Sequence, residues 1–328
     1  MVPQLKILKH KKNIVFVGIA INMFWILGKW IKELHKIPNT KIIWTFSSYS
    51  KNSVWRNKWV PKLPEASLYF FSYISLFRKY LDMNPKKFQG KSVVLYTHDE
   101  GNLGSSVEQS LLLNNALSVH FNCSKDAERL VSAGLKKEKV RIVFGAVDDS
   151  CKRNPKIRRE ENTILLASRF SQRKGLNILP EIISLMPEWK FIILGRGWRK
   201  FLKKNQLLKN NQVCYKKFNI KNRNKYMNKT QIFLSLSNLE GGPIPLIESM
   251  TVGVIPVATN TGFARDVIQD GKNGIILNMS PKPEDVVTAI YAAAEILPST
   301  INSVSKLTWE RMRKILQSDL MMVQENVE

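Results

Sequence analysis

Short apolar runs alternate with helical spacings along most of the chain. In the first half the runs are Ile14–Gly18, Lys41–Thr45, Ser92–Tyr96, Ser118–Asn122 and Val140–Val143. In the second half they are Thr163–Ala167, Lys190–Leu194, Gln231–Ser235, Val254–Ala258 and Gly274–Leu277. Most are continuous β-branched or leucine runs rather than alternating ones. Strands buried on both faces of a parallel sheet carry that pattern. Strand–helix alternation over such a length predicts α/β architecture.

The pattern breaks at Asp148–Asn162, which reads DDSCKRNPKIRREEN. The stretch is polar, contains a proline and has no apolar run, so its composition predicts a connector. Asp148 and Asp149 are read there as solvated. Two domains follow, over residues 1–150 and 151–305, with a last segment, 306–328, opening at Trp309-Glu310. Two such α/β lobes are expected to leave a cleft at the carboxyl ends of their strands, where ligands of open α/β sheets bind.

Two apolar stretches admit other readings. The run Ile14–Leu27 follows Lys-His-Lys-Lys at 9–12, as in a signal peptide. It is shorter than the roughly 20 residues a membrane span needs, and no small-residue cleavage site follows. A buried strand, a turn and a helix through about Leu34 fit it better. Ala66–Leu81 crowds Leu68, Tyr69, Phe71, Ile74 and Phe77 before Arg78-Lys79. It is either a core helix or an interfacial helix that docks on anionic lipid.

Composition narrows the classes. The chain has 328 residues, 44% hydrophobic and 23% charged, which suits globular domains rather than disorder. Its 3 cysteines, Cys123, Cys151 and Cys214, form no CxxC pair. That argues against a disulfide framework or a zinc site, and for a reducing, cytoplasmic setting. The net charge is +25. Such a surface attracts phosphates, anionic lipid or nucleic acid without choosing among them, and much of the charge can be solvated faces. The stretch Arg199–Lys229 contains no acid, yet its aromatics form no recognisable nucleic-acid motif.

Candidate chemistry sits in loops after strands. Arg169 and Lys174 follow the Thr163–Ala167 run. An arginine can fork two phosphate oxygens and a lysine adds a mobile point charge. The alternative is a pair of solvated loop cations. After Gln231–Ser235 come Glu240, Gly241, Gly242, Pro243, Ile244, Pro245 and, one helical turn later, Glu248. The glycines permit a tight turn, Pro245 suits a helix start, and a helix N-terminus favours an anion. Glu248 is placed to accept bonds from vicinal hydroxyls and Glu240 to reach hydroxyls of a sugar. The alternative is an acid favouring the helix dipole beside a surface glutamate.

Several segments, in order, resemble one family. ASRFSQRKGLNIL is similar to an R-x4-K-G phosphate loop. FIILGRG is similar to a strand ending in a Gly-x-Gly turn. FLSLSNLEGGPIPLIESMTVGVIPVAT is similar to an E-x7-E signature, and GFARDVIQDGKNGIIL to an acidic-turn segment. Together they resemble the C-terminal domain of the retaining GT-B glycosyltransferases usually called GT4. The resemblance implies two Rossmann-like domains facing a cleft, with a terminal helix returning to the first. By it, Arg169 and Lys174 would hold a donor diphosphate, Glu248 the ribose and Glu240 the transferred sugar. Gly242 and Ile244 would face sugar and phosphate through the backbone. The family usually has an aromatic where Gly242 stands. In the first half, Leu95-Tyr96-Thr97-His98 is similar to a strand ending in a sugar-facing histidine, here His98. Gly18 stands where the family often has a Gly-Gly turn near the donor.

The resemblance thus implies a retaining glycosyltransferase without cofactor, and since no Asp-x-Asp pair follows a strand it is expected to be metal-independent. Its donor would be a UDP- or GDP-sugar. The basic first lobe and the interfacial reading of Ala66–Leu81 suggest, as a hypothesis, a lipid-linked glycan or envelope-polysaccharide acceptor with an anionic membrane surface as partner, and nucleic acid is disfavoured. The competing readings are a nucleotide-sugar epimerase on the same fold and a non-enzymatic anion or nucleic-acid binder.

Overall fold

The computed structural model describes residues 12–19, 29, 32–49, 55–59, 61–98, 103–297 and 304–325, apart from the side chains of Ile19, 45–49 and 55–59. The helix expected between the first strand and Leu34 lies mostly outside these residues; 32–34 are helical. The chain divides into two compact units, 1–144 with 309–328, and 145–308.

The first unit is built on a seven-stranded sheet. Its strands are β1 (Lys12–Ile19), β2 (Thr40–Tyr49), β3 (Trp55–Trp59), β4 (Ala66–Phe71), β5 (Ser92–Tyr96), β6 (Ser118–Phe121) and β7 (Val140–Ile142). The order across the sheet is β3-β2-β1-β4-β5-β6-β7. All pairings are parallel except β2 with β3. The parallel strands are the apolar runs, and Val15, Phe16 and Val17 are wholly buried because helices cover such sheets on both faces.

Ala66–Leu81 is neither of the helices its composition suggested. Ala66–Phe71 is β4, beside β1 near the middle of the sheet, and every residue of it is buried. The helix α1 (Ile74–Met83) begins only after Ser72-Tyr73 and buries Ile74, Leu76, Phe77, Tyr80 and Leu81. The crowded aromatics stack on one another: Phe71 lies 5.7 Å from Phe77 and 5.5 Å from Tyr80, ring centre to ring centre. They are core contacts and leave no apolar face from this run for a bilayer. A six-residue strand with no polar position, running into a helix whose apolar residues follow directly, mimics one long helix.

The second unit holds a six-stranded, wholly parallel sheet. Its strands are β8 (Thr163–Ala167), β9 (Lys190–Leu194), β10 (Val213–Lys216), β11 (Ile232–Ser235), β12 (Ile255–Thr259) and β13 (Ile275–Leu277), ordered β10-β9-β8-β11-β12-β13. Strand order reverses between β8 and β11. That is the switch point at which doubly wound sheets open a crevice beyond their carboxyl ends. The basic stretch conceals β10: it is an edge strand, so its residues are only half-buried and need not be apolar.

Asp148–Asn162 belongs to this unit rather than joining the two as a loose connector. Two helices explain it: α2 (Ile220–Lys229) and α3 (Ile244–Thr251). Arg159 donates to the Thr230 carbonyl (2.6 Å) and the Val252 carbonyl (2.7 Å), the residues that close α2 and α3. A guanidinium satisfies the unpaired carbonyls there and opposes the helix dipole. Arg153 donates to the Asn228 carbonyl (3.0 Å) and side chain (3.1 Å). The polarity that resembles a linker is the polarity of helix capping.

The last helix, α4 (Trp309–Glu325), packs in the first unit. It buries Trp309, Met312, Leu316, Leu320 and Val323 on one stripe, spaced three and four apart. On the same side Asp319 meets His120 Nε2 (2.6 Å) and accepts from Ser118 Oγ (2.9 Å), both on β6.

Candidate active site

Two loops leave the switch point of the second unit. The loop after β8 runs from Ser168 to Gly175, and the loop after β11 from Leu236 to Pro243, which opens α3. They are stitched together. The Asn238 N–H donates to the Arg173 carbonyl (2.7 Å), and Arg173 Nη1 to the Leu239 carbonyl (3.0 Å). Gly175 sets their spacing. Its φ is +64°, and a Cβ there would sit 2.0 Å from the Leu236 carbonyl oxygen. Only glycine allows both the left-handed backbone and the contact.

This stitching brings the predicted charges together. Lys174 pairs through Nζ with Glu240 Oε1, and Ser237 Oγ donates to the same oxygen (2.9 Å). Arg173 Nη1 stands 4.0 Å from the other oxygen of Glu240, whose side chain is only 9% exposed. The Glu240 N–H is fixed on Thr261 Oγ1 (3.0 Å). Arg169, in contrast, is exposed and makes no ion pair among the described residues. The loop after β8 therefore carries two cations against Glu240, Lys174 and more distantly Arg173, and a third, Arg169, that is exposed.

The α3 N-terminus completes this edge. Pro243 and Pro245 have no N–H, and the Leu246 N–H is spent on the Pro243 carbonyl (2.8 Å). The Gly242 and Ile244 amides are the donors left at the turn. Gly242 and Pro243 are partly exposed, so an anion can approach them.

Glu248 lies differently from a surface carboxylate. It is 1% exposed, and its Oε1 accepts from Arg223 Nη1 at 2.6 Å. Arg223, on α2, has no exposed surface. Its Nη2 donates to Ser150 Oγ (2.7 Å) and stands 3.6 Å from Asp148, which is correspondingly mostly buried and ion-paired rather than solvated. Cys151 Sγ donates to the Glu248 carbonyl (3.3 Å). Burial, reinforced by the nearby Glu248 charge, pushes the Cys151 thiol up to about 12. Arg159 moves the other way, down to about 10, from burial first and Arg153 second.

Motif and spacing do not single out Arg223. One signal in the sequence points to it: Arg223 stands one helical turn before Met227 (i, i+4), whereas Lys221, Lys225 and Lys229 fall on other faces. An arginine on the Met227 side is an arginine turned inward.

His98 and Gly18 lie in the other unit. Thr97 Oγ1 is 3.1 Å from His98 Nδ1, at the end of β5. Gly18 packs on an aromatic ring: a Cβ there would sit 2.6 Å from Trp44. A larger residue there would have to displace the Trp44 ring. Among the described residues no three His, Cys, Asp or Glu side chains are grouped so as to hold a metal ion.

Residues 148–296 match the family model described as glycosyl transferases, group 1. Those residues belong to the group 1 glycosyltransferases. The matched span lies within the second unit and contains both loops, Arg223 and both glutamates. Among curated proteins, the chain is 27% identical over 160 residues to an uncharacterised 41.2 kDa protein in the cps region of Klebsiella pneumoniae, covering 45% of this chain and 44% of that one. It is 28% identical over 184 residues to a phosphatidylinositol N-acetylglucosaminyltransferase component of Arabidopsis thaliana, covering 53% and 40%. The chain thus spans less than half the length of these two relatives. Among solved structures, Anabaena Alr3699/HepE in complex with UDP superposes with a TM-score of 0.70 at 14% identity, covering 94% of this chain and 99% of that one. At that identity the likeness concerns the fold, two Rossmann-like units of the GT-B kind. Lys174, Glu240 and the α3 N-terminus, which converge where strand order reverses, all lie within the matched residues.

Proposed function

We propose that this protein transfers a sugar from a nucleoside-diphosphate sugar to a glycan or lipid-linked acceptor, with retention at the anomeric carbon and without a metal. One observation carries the reading: Arg169, Lys174, Glu240 and the Gly242–Ile244 turn share the two stitched loops at the switch point of a group 1 glycosyltransferase region. The two loop cations and the α3 amides suit a diphosphate and stabilise the charge that grows on it as the glycosidic bond breaks. Recruiting Lys174 to phosphate takes it from Glu240, which frees that carboxylate for hydroxyls of the sugar. Glu248, deeper on α3, accepts from the ribose. Same-face attack, with the leaving phosphate taking the acceptor proton, needs no enzyme nucleophile.

UDP is the first donor base to test, because the Anabaena neighbour binds it. The name of the plant relative, a phosphatidylinositol N-acetylglucosaminyltransferase subunit, supports a lipid-linked acceptor. Contact with an anionic membrane face belongs to the same proposal; it would rest on surface cations, since the apolar run Ala66–Leu81 is internal.

A thermal-shift panel of UDP, GDP and their sugars tests donor recognition, and product NMR reads the anomeric configuration. Glu240→Ala is expected to keep nucleotide affinity within about threefold while transfer falls by about 100-fold or more. Unchanged transfer would remove Glu240 from the mechanism. Activity that survives chelation supports metal independence, and activity restored only by divalent ions refutes it. Donor consumed without any glycoside formed would instead mark an epimerase.

A further inference from the structure

Glu248 does not stand alone in its part of the fold. From the geometry we infer that Arg223 is a positioning residue for Glu248, setting which carboxylate face is offered to a nucleotide's ribose. The inference rests on the reading of Glu248 as the ribose acceptor.

The guanidinium of Arg223 is entirely buried, and so is Glu248. Nη1 meets Glu248 Oε1 at 2.6 Å, Nη2 meets Ser150 Oγ at 2.7 Å, and Nε meets Asn224 Oδ1 at 3.1 Å. The plane of the guanidinium is therefore fixed from separate directions, by α3, by the 148–151 segment and by its own helix. Asp148 adds a second carboxylate 3.6 Å away. The 148–151 segment is itself tied down: Asn224 Nδ2 donates to the Ser150 carbonyl (2.9 Å), and Cys151 Sγ donates to the Glu248 carbonyl (3.3 Å).

A buried carboxylate that takes a short bond from a fixed guanidinium has its orientation set by that guanidinium. Vicinal hydroxyls need a carboxylate presented at a set angle, because each hydroxyl donates along a fixed direction. Arg223 supplies that angle and also the positive charge without which an ionised Glu248 would be costly in this interior. A lysine cannot do the same, since a single ammonium has no planar fork to hold Glu248 and Ser150 together. Arg223 touches no reacting atom in this scheme; it acts through Glu248.

The test compares UDP and GDP with their 2′-deoxy forms on full-length protein by calorimetry, using whichever base binds. The readout is the ratio of the two Kd values, ribo against deoxy. Glu248→Gln is expected to collapse that ratio by about tenfold, the worth of a hydrogen bond to a charged group. Arg223→Gln and Arg223→Lys are expected to collapse it nearly as far. If Glu248→Gln collapses the ratio while both Arg223 variants keep it and only melt earlier, Arg223 is structural and the inference fails with the ribose reading intact. If Glu248→Gln leaves the ratio unchanged, the ribose reading itself fails and the inference with it. Should the Arg223 variants not fold, Ser150→Ala and Asp148→Asn remove the other anchors of the guanidinium. A severalfold drop in the ratio supports the inference, and an unchanged ratio in both overturns it.

Discussion

At the residue scale the decisive facts concern what each charged or reactive group touches. Glu240 and Glu248 are eight positions apart and live in different settings. Glu240 is ringed by Lys174, Ser237 and Arg173 at the loop edge, whereas Glu248 is sealed against Arg223. Cys151 shows what such sealing does to a titration. Its thiol is raised from 9.0 to about 12, by burial first. Below pH 9 the thiol is neutral folded or unfolded. As pH climbs from 9 towards 12 only the unfolded chain ionises, so this site's share of stability is present below pH 9 and is lost across that window. Chemical denaturation at pH 8, 9.5 and 11 is expected to show stability falling, with Cys151→Ser flattening the fall. In the folded protein Cys151 should also resist iodoacetamide at pH 8 under conditions that label Cys214, which is half-exposed. Equal labelling of both would contradict the burial described.

At the element scale, strands placed the site and loops shaped it. Continuous apolar runs marked β8, β9, β11 and β12 closely, because strands buried on both faces have no polar positions to confuse the pattern. Two elements escape that pattern for opposite reasons. β4 merges with α1 into one stretch, since β4 is buried on both faces and shows no period of its own before the apolar positions of α1 begin. β10 is lost among lysines because an edge strand has little to bury. The loop after β8 depends on Gly175. Gly175→Ala adds a Cβ 2.0 Å from the Leu236 carbonyl at a φ of +64°. It is expected to cost about 1–3 kcal/mol of strain and to part the two loops, so that thermal stability and nucleotide affinity fall together. Loss of either one without the other would mean that the loops are not held by this contact.

At the scale of the whole molecule, the terminal helix α4 belongs to the unit that holds the start of the chain. Its docking includes a buried polar contact, Asp319 with His120 at 2.6 Å and Ser118 at 2.9 Å, with Arg141 Nε 3.5 Å away. Removing one partner of such a buried pair is commonly strongly destabilising. Asp319→Ala is expected to cost about 3–5 kcal/mol and to make residues after Thr308 the first site of limited proteolysis. An unfolding midpoint equal to that of the unmodified protein would show that α4 is held by its apolar stripe alone. Charge is the other property of this scale. The +25 balance makes anion attraction general rather than specific, whereas the proposed donor site draws on the few cations of the loop after β8.

The sequence alone determined the α/β class, the sites of most buried strands and the loops that carry Arg169, Lys174, Glu240 and Glu248. These depend on local periodicity and on residue types at set spacings, which a chain displays directly. Only the tertiary structure decided that Lys174 lies on Glu240, that Glu248 faces a buried arginine from a helix 25 residues earlier in the chain, and that the polar stretch after Asp148 closes two helices. The reason is the same each time. Whether a charged side chain is solvated, paired or capping depends on partners distant in sequence, and a cation bound for the interior is spelled with the same letter as one bound for water.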